Sequence, residues 1–132
     1  MPREHKYTTK IYYEDTDAGG VVYYANYFKF IERARSEMIY DLLSINLSDL
    51  KRDFDILFVV KKLTAEFHKP IKFEDKIDVI TNIIRKTPVR LSLKQVIKKQ
   101  EDLMFISEVE LAVISPKGAV KKLTTELFSK IK

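Results

Sequence analysis

The apolar residues of this chain change their spacing once, and that change limits the folds open to it. Between residues 24 and 43, Tyr27, Ile31, Ala34, Met38 and Leu42 recur three or four positions apart. Such spacing puts them on one stripe of a single long helix. Lys29, Glu32, Arg33 and Ser36 fall largely off the stripe, and Arg33 with Glu37 has the spacing of a helix ion pair. From residue 56 onward the period is two. Residues 56–68 form a strand-like run, and Ile77, Val79, Thr81 and Ile83 alternate through 77–85. Val89, Leu91 and Leu93 alternate with Arg90, Ser92 and Lys94, and Phe105, Val109, Leu111 and Val113 with Met104, Glu108 and Glu110. Turn residues separate these runs at 70–75, 86–88, 100–102 and 116–118. Short connections imply antiparallel neighbours. A further strand is expected over 6–14, and a short closing helix from Thr124, whose hydroxyl would cap it.

One long helix with about five mostly antiparallel strands predicts an α+β domain in which a curved sheet wraps the helix. At 132 residues the chain fits one domain, 1–132, with one core. A sheet of this kind leaves a free edge that wants a partner strand, which argues for an oligomer.

Composition removes several chemistries. Cysteine is absent, which excludes disulfides, a thiolate nucleophile and cysteine-ligated metals. The two histidines, His5 and His68, are too few for a histidine-rich metal site. His68 reads as a surface residue at a strand end, and His5 as part of a mobile terminus. No apolar run approaches the ~20 residues that span a bilayer. The opening Met-Pro-Arg-Glu-His-Lys-Tyr lacks the apolar segment of a signal peptide. A cytoplasmic protein without membrane insertion is expected. The net charge of +5 favours an anionic partner, although scattered surface lysines give the same sum. No helix-turn-helix, zinc-finger or RNA-binding aromatic signature is present, so nucleic acid is not the expected partner.

The densest information lies in Tyr13 to Tyr27. Asp15 and Asp17 are followed by Gly19 and Gly20, two of only three glycines, and then by the start of the long helix. The adjacent glycines mark a backbone that bends or approaches something closely. The segment reads as strand, sharp loop carrying a carboxylate, then helix. A carboxylate beside a helix N-terminus suits acyl chemistry, because free N–H groups there face a developing oxyanion. Asp17 alone reads better as a turn or cap residue. Asp15 reads as structural, bonding loop amides, and strand alternation would turn Glu14 away from Tyr13 and Asp15.

The segment Tyr13-Glu14-Asp15-Thr16-Asp17-Ala18-Gly19-Gly20-Val21-Val22-Tyr23 resembles the active-site motif of hotdog-fold acyl-CoA thioesterases of the 4-hydroxybenzoyl-CoA thioesterase and YbgC branch. Ala25-Asn26-Tyr27-Phe28 and Glu32-Arg33-Ala34-Arg35-Ser36-Glu37 continue the resemblance into the helix. It implies a hotdog fold, a homodimer or homotetramer, and hydrolysis of a coenzyme A thioester without a cofactor. It implies that Asp17 is the catalytic nucleophile or general base, and that the backbone N–H of Tyr24 polarises the thioester carbonyl. Many YbgC-type chains carry His where this chain has Tyr24. A backbone donor survives that exchange; a side-chain role of the His does not.

The substrate would meet Gly19, Gly20, Val22 and Tyr23. Tyr23, Tyr24 and Tyr27 could line an acyl pocket, although Tyr27 on the apolar stripe reads better as core. Basic residues at the turn after the second period-two run, Arg85, Lys86 and Arg90, would meet the coenzyme A phosphates, often from the neighbouring subunit by the resemblance, with Lys121 and Lys122 as weaker candidates. A solvated charge cluster explains the same residues. Acyl carrier protein is a second possible thioester donor. A protein of this fold that binds acyl thioesters without hydrolysing them is the alternative function.

Overall fold

Why the helix stripe and the alternating strands belong together is seen in the computed structural model, which describes residues 4–132. The chain runs through β1 (Glu4–Lys10), α1 (Asn26–Leu43), α2 (Leu47–Phe54), β2 (Leu57–Phe67), β3 (Lys76–Thr87), β4 (Arg90–Lys99), β5 (Asp102–Ile114) and α3 (Thr125–Lys130). All five strands join one antiparallel sheet in the order β1-β3-β4-β5-β2. α1 lies across one face. Its Tyr27, Phe30, Ile31, Ala34, Met38, Ile39 and Leu43 are buried, with Ile77, Val79, Leu91, Leu93, Ile97, Phe105, Val109, Leu111 and Val113 from the strands. Each fully buried side chain of this size stabilises by about 1.5–3 kcal/mol relative to exposure. This is the expected α+β hotdog architecture, one long helix held by a five-stranded sheet.

Register shows where the core stops. β2 pairs with β5 so that Phe58, Val60, Leu63, Ala65 and Phe67 oppose the buried Val113, Leu111, Val109, Ser107 and Phe105. These five residues therefore share the inner face of the sheet, and all are apolar. Yet no residue of β2 is buried, and Val60 and Phe67 are 42% and 48% exposed. The helix packs mainly over the β1 and β3 side, so the apolar row on β2 is only partly covered in its own chain: Phe58 and Ala65 are half-buried, while Val60, Leu63 and Phe67 stay exposed.

Several local expectations change. The strand over 6–14 ends at Lys10, because Tyr13–Asp15 turns into a 3-10 helix and the Asp15 carboxylate takes the Tyr12 N–H at 2.9 Å. Such side-chain to backbone bonds compete with strand ladders. Strand alternation thus fails at this point: Tyr13 and Glu14 are both exposed, and Asp15 is buried. His5 is not in a loose terminus but in β1, where its Nε2 lies 2.7 Å from Asp41 of α1. Arg33 and Glu37 make no ion pair; Glu32 instead accepts from Ser36 one turn on. α2 was not anticipated, since its two turns bury only Leu50 and give too short a period to read. The closing helix is capped as expected, Thr124 Oγ1 accepting from Leu127 N.

Candidate active site

Asp17 heads a tight reversal. Its N–H donates to Val21 O at 2.9 Å, and Gly20 N–H donates to Asp17 O at 3.0 Å. Gly20 closes the turn with φ +80°, a conformation that suits glycine. Gly19 is needed for a different reason. Its N–H donates to Asp17 Oδ1 at 2.8 Å, and a Cβ there would stand 3.3 Å from the same oxygen. One carboxylate oxygen is thereby anchored by the loop, while Oδ2 has no partner among the described residues. The side chain is exposed. The turn is tied to the segment leading into β3 by Val22 N–H to Ile71 O at 2.7 Å and Phe73 N–H to Gly20 O at 3.2 Å.

The helix start is held against this turn by two buried polar residues. Asn26 Nδ2 donates to Asp15 O at 2.9 Å, and Tyr23 N–H donates to the same oxygen at 3.1 Å. Asp15 acts as the structural residue expected of it. Just before α1, the N–H groups of Tyr24 and Ala25 have no acceptor among the described residues, and no side chain caps the helix. Free amides at a helix start carry partial positive charge and accept an oxyanion readily. Sequence reading anticipated the Tyr24 amide and missed both the Ala25 amide and the Asn26 clamp. A buried-phase asparagine one step into a helix was the available signal for the clamp.

Aromatic residues frame the turn. Tyr23 and Tyr24 are exposed, with ring centroids 4.8 Å apart. A hydrogen bond to Tyr24 raises the Tyr23 phenol above its ordinary value. Tyr13 stacks on Phe73 at 4.2 Å and is 79% exposed. Tyr27 is core, in edge contact with Phe67 of β2 at 4.9 Å; burial raises its phenol. Val22 is also buried, so of the substrate candidates Gly19, Gly20 and Tyr23 offer accessible surface and Val22 supports them from below.

The basic candidates lie elsewhere. β3 begins near the Asp17 turn at Lys76 and reaches Thr87 after about 35 Å of strand. Arg85, Lys86 and Arg90 are therefore at the far end of the sheet from Asp17 of the same chain. Lys86 Nζ is taken by the carbonyls of Phe128 and Ile131 and sits 4.4 Å from the Phe128 ring, so it fastens α3. Arg90 pairs with Glu110, and Arg85 is exposed. Lys121 is half-buried and Lys122 exposed, beyond β5. Among the described residues no group of three or more His, Asp or Glu side chains is arranged to hold a metal ion.

A carboxylate with one free oxygen thus lies on the loop that leads into two free amides, and acyl transfer uses groups of these two kinds. Known proteins agree. The family model described as Thioesterase superfamily matches residues 19–106. The chain belongs to the thioesterase superfamily. The acyl-CoA thioester hydrolase YbgC of Escherichia coli O6:H1 is 36% identical over 110 residues, covering 83% of this chain and 79% of that one. The acyl-CoA thioesterase YbgC of Helicobacter pylori J99 is 31% identical over 135 residues, covering 92% and 98%. Among solved structures, the "probable thioesterase" of Bartonella henselae superposes with a TM-score of 0.88 at 30% identity, covering 92% of this chain and all of that one. The superfamily model begins at Gly19, so the glycine pair and the helix start fall inside the match and Asp17 just before it.

Proposed function

We propose that this chain, as one domain over 1–132, hydrolyses acyl-coenzyme A thioesters in the cytoplasm, where such thioesters are made, and needs no cofactor. The observation that carries the reading is the Asp17 turn: a carboxylate pinned through Oδ1 by Gly19, on the loop that delivers the unpaired Tyr24 and Ala25 amides. The thioester carbonyl oxygen would lie against those amides, which stabilise the charge it acquires. Asp17 then acts in one of two ways. As general base it takes a proton from water while the water oxygen bonds to the carbonyl carbon. As nucleophile it forms a mixed anhydride that water later opens. In both, the tetrahedral intermediate collapses by breaking the C–S bond, and coenzyme A leaves as a thiolate that takes up a proton. Tyr23, Gly19 and Gly20 would flank the acyl group.

The working unit in this reading is at least a homodimer, formed by β2. An isologous two-fold pairing sets the Phe67 end of one β2 beside the Leu57 end of the other. Phe67 packs on Tyr27, next to the helix start. The Leu57 end adjoins β5 and, through Ala112, Arg90. The exchange thus brings the partner subunit's Arg85–Arg90 turn towards the Asp17 end, about two strand spacings or ~10 Å in from the joined edge. The phosphates of coenzyme A would meet Arg85 and Arg90 there, while Lys86 keeps its structural task. A tetramer of two such dimers, or an acyl carrier protein as thioester donor, fits the same site.

The test is thiol release from a panel of short-chain, long-chain and aromatic acyl-CoA esters and one acyl carrier protein thioester. Turnover of at least one is expected, with Asp17→Asn lowering kcat by ~100-fold or more in a folded dimer. Tight binding without turnover on every substrate would make the chain a non-catalytic thioester-binding protein, and wild-type rates in Asp17→Asn would remove Asp17 from the chemistry.

A further inference from the structure

Gln95 occupies an apolar position. β4 presents Leu91, Leu93, Gln95 and Ile97 to the inner face, and all four are fully buried. A buried amide destabilises unless its polar atoms are paired. Those of Gln95 are paired in three directions. Nε2 donates to the backbone oxygen of Ile31 on α1 at 2.9 Å and to Thr81 Oγ1 on β3 at 2.9 Å. Oε1 accepts from Arg35 Nη1 at 3.2 Å. The orientation of the amide is fixed by its neighbours, since a carbonyl only accepts and a guanidinium only donates.

We propose that Gln95 is a positioning residue for the thioesterase site, setting where α1 stands along and about its axis. Packed apolar ridges resist separation of helix and sheet more than small sliding or rotation. A directional bond to a helix carbonyl, with a second to a side chain one turn on, resists both. Ile31 lies seven residues beyond Tyr24, about 10 Å along the helix. Thr81, the third partner, is on β3, the strand entered directly from Ile71 and Phe73, whose backbones hold the Asp17 turn. Gln95 therefore ties the helix that begins at the free amides to the strand whose leading segment, through Ile71 and Phe73, holds the Asp17 turn. Asn26 and Asp15 make the near link between the two, and Gln95 the remote one. Asp17 and the amides touch substrate in the proposed mechanism; Gln95 acts through α1 alone.

The test compares Gln95→Met, which keeps the shape and removes the hydrogen bonds, with Leu93→Ala, a pure packing loss two residues away on the same face. Both should lower Tm. Gln95→Met should also lower kcat by about 10-fold with KM within about two-fold, as expected for an interaction felt in the transition state, whereas Leu93→Ala should keep kcat within about two-fold. Thr81→Val, which removes one anchor of the Gln95 amide, should give about a 3-fold loss and serves if Gln95→Met does not fold. The kinetic arm rests on the thioesterase reading, so a second readout stands apart from turnover. The amide resonances of Tyr24 and Ala25 should shift, and exchange with solvent faster, in Gln95→Met and not in Leu93→Ala. An inactive wild type would sink the thioesterase reading and leave the resonances to decide this one. Unmoved resonances, unchanged kcat in Gln95→Met and Thr81→Val, or an equal kcat loss in Leu93→Ala would overturn it.

Discussion

The two edges of the sheet are built in opposite ways. β1 has seven residues, carries Lys6 and Lys10, and lays its inner-facing His5, Tyr7 and Thr9 half-buried beside α1. β2 has eleven residues and an inner row of Phe58, Val60, Leu63, Ala65 and Phe67, of which Val60, Leu63 and Phe67 stay exposed in the single chain. Both present unpaired backbone groups. A short, lysine-bearing edge resists strand addition, whereas a long edge flanked by an apolar row invites it. Lysines occur on β2 as well, but Lys61 is the extra residue of a bulge and Lys62 faces outward, so the apolar row stays intact. What separates the edges is the side-chain face beside them, rather than the hydrogen bonds they offer.

The largest effect should come from charging that row. Val60→Glu with Leu63→Glu would bury two unpaired carboxylates in the proposed interface, at several kcal/mol, and should raise the dimer dissociation constant by ~1000-fold or more. The matched outer pair on the other edge, Lys6→Glu with Lys10→Glu, should leave association unchanged. Sedimentation velocity reads both. A dimer that survives the β2 change, or dissociates with the β1 change, would erase the distinction.

A smaller effect separates the edge from the chemistry. Gly19→Ala pushes a methyl group against Asp17 Oδ1, so kcat should fall about 10-fold while the dimer persists. Gly20→Ala forces a side chain to φ +80° and should cost about 1 kcal/mol of stability, seen as a few degrees in Tm. If Gly19→Ala turns over like wild type, the loop contact does not matter for rate.

The smallest effect belongs to the β1 side, where contacts are local. Asp75 O accepts from Ile11 N–H just after β1, and its carboxylate meets the Lys72 N–H and Lys99 Nζ, each at 2.9 Å. Burial opposes its ionisation, but those two donors outweigh it and hold Asp75 below the ordinary carboxylate range. A depressed folded pKa stabilises above the unfolded value, and that contribution disappears as pH falls through the folded one. Below about pH 4, wild-type Tm should therefore drop faster than that of Asp75→Asn, by ~1–2 °C. Parallel melting curves would show that Asp75 contributes nothing there.

The fold was legible because period is a local signal: the helix stripe and the alternating strands survive into the structure with ends shifted by a few residues. The misses arise where a side chain overrides the backbone pattern. Asp15 ended the first strand early by taking the Tyr12 amide. At the site, the carboxylate and glycines stood out in sequence, yet Gln95, Thr81 and Asn26 looked like ordinary polar residues. Their meaning depends on which polar groups approach them, and those come from residues 11 to 64 positions away. The basic turn was misleading in a different way. Its charge was visible, but Lys86 was already committed to α3. Only the exposed row on β2 suggests that Arg85 and Arg90 serve another chain.

The most direct measurement of that shared site is subunit mixing. Asp17→Asn and the double variant Arg85→Ala/Arg90→Ala are each assayed with acyl-CoA at low substrate, where both should be nearly inactive. The two are then combined and allowed to exchange. Random exchange puts half the dimers in mixed form, each with one site free of lesions, so about a quarter of wild-type activity should return. No recovery after exchange confirmed by mass spectrometry, or full activity in a monomer, would contradict a site completed by a second copy of the chain.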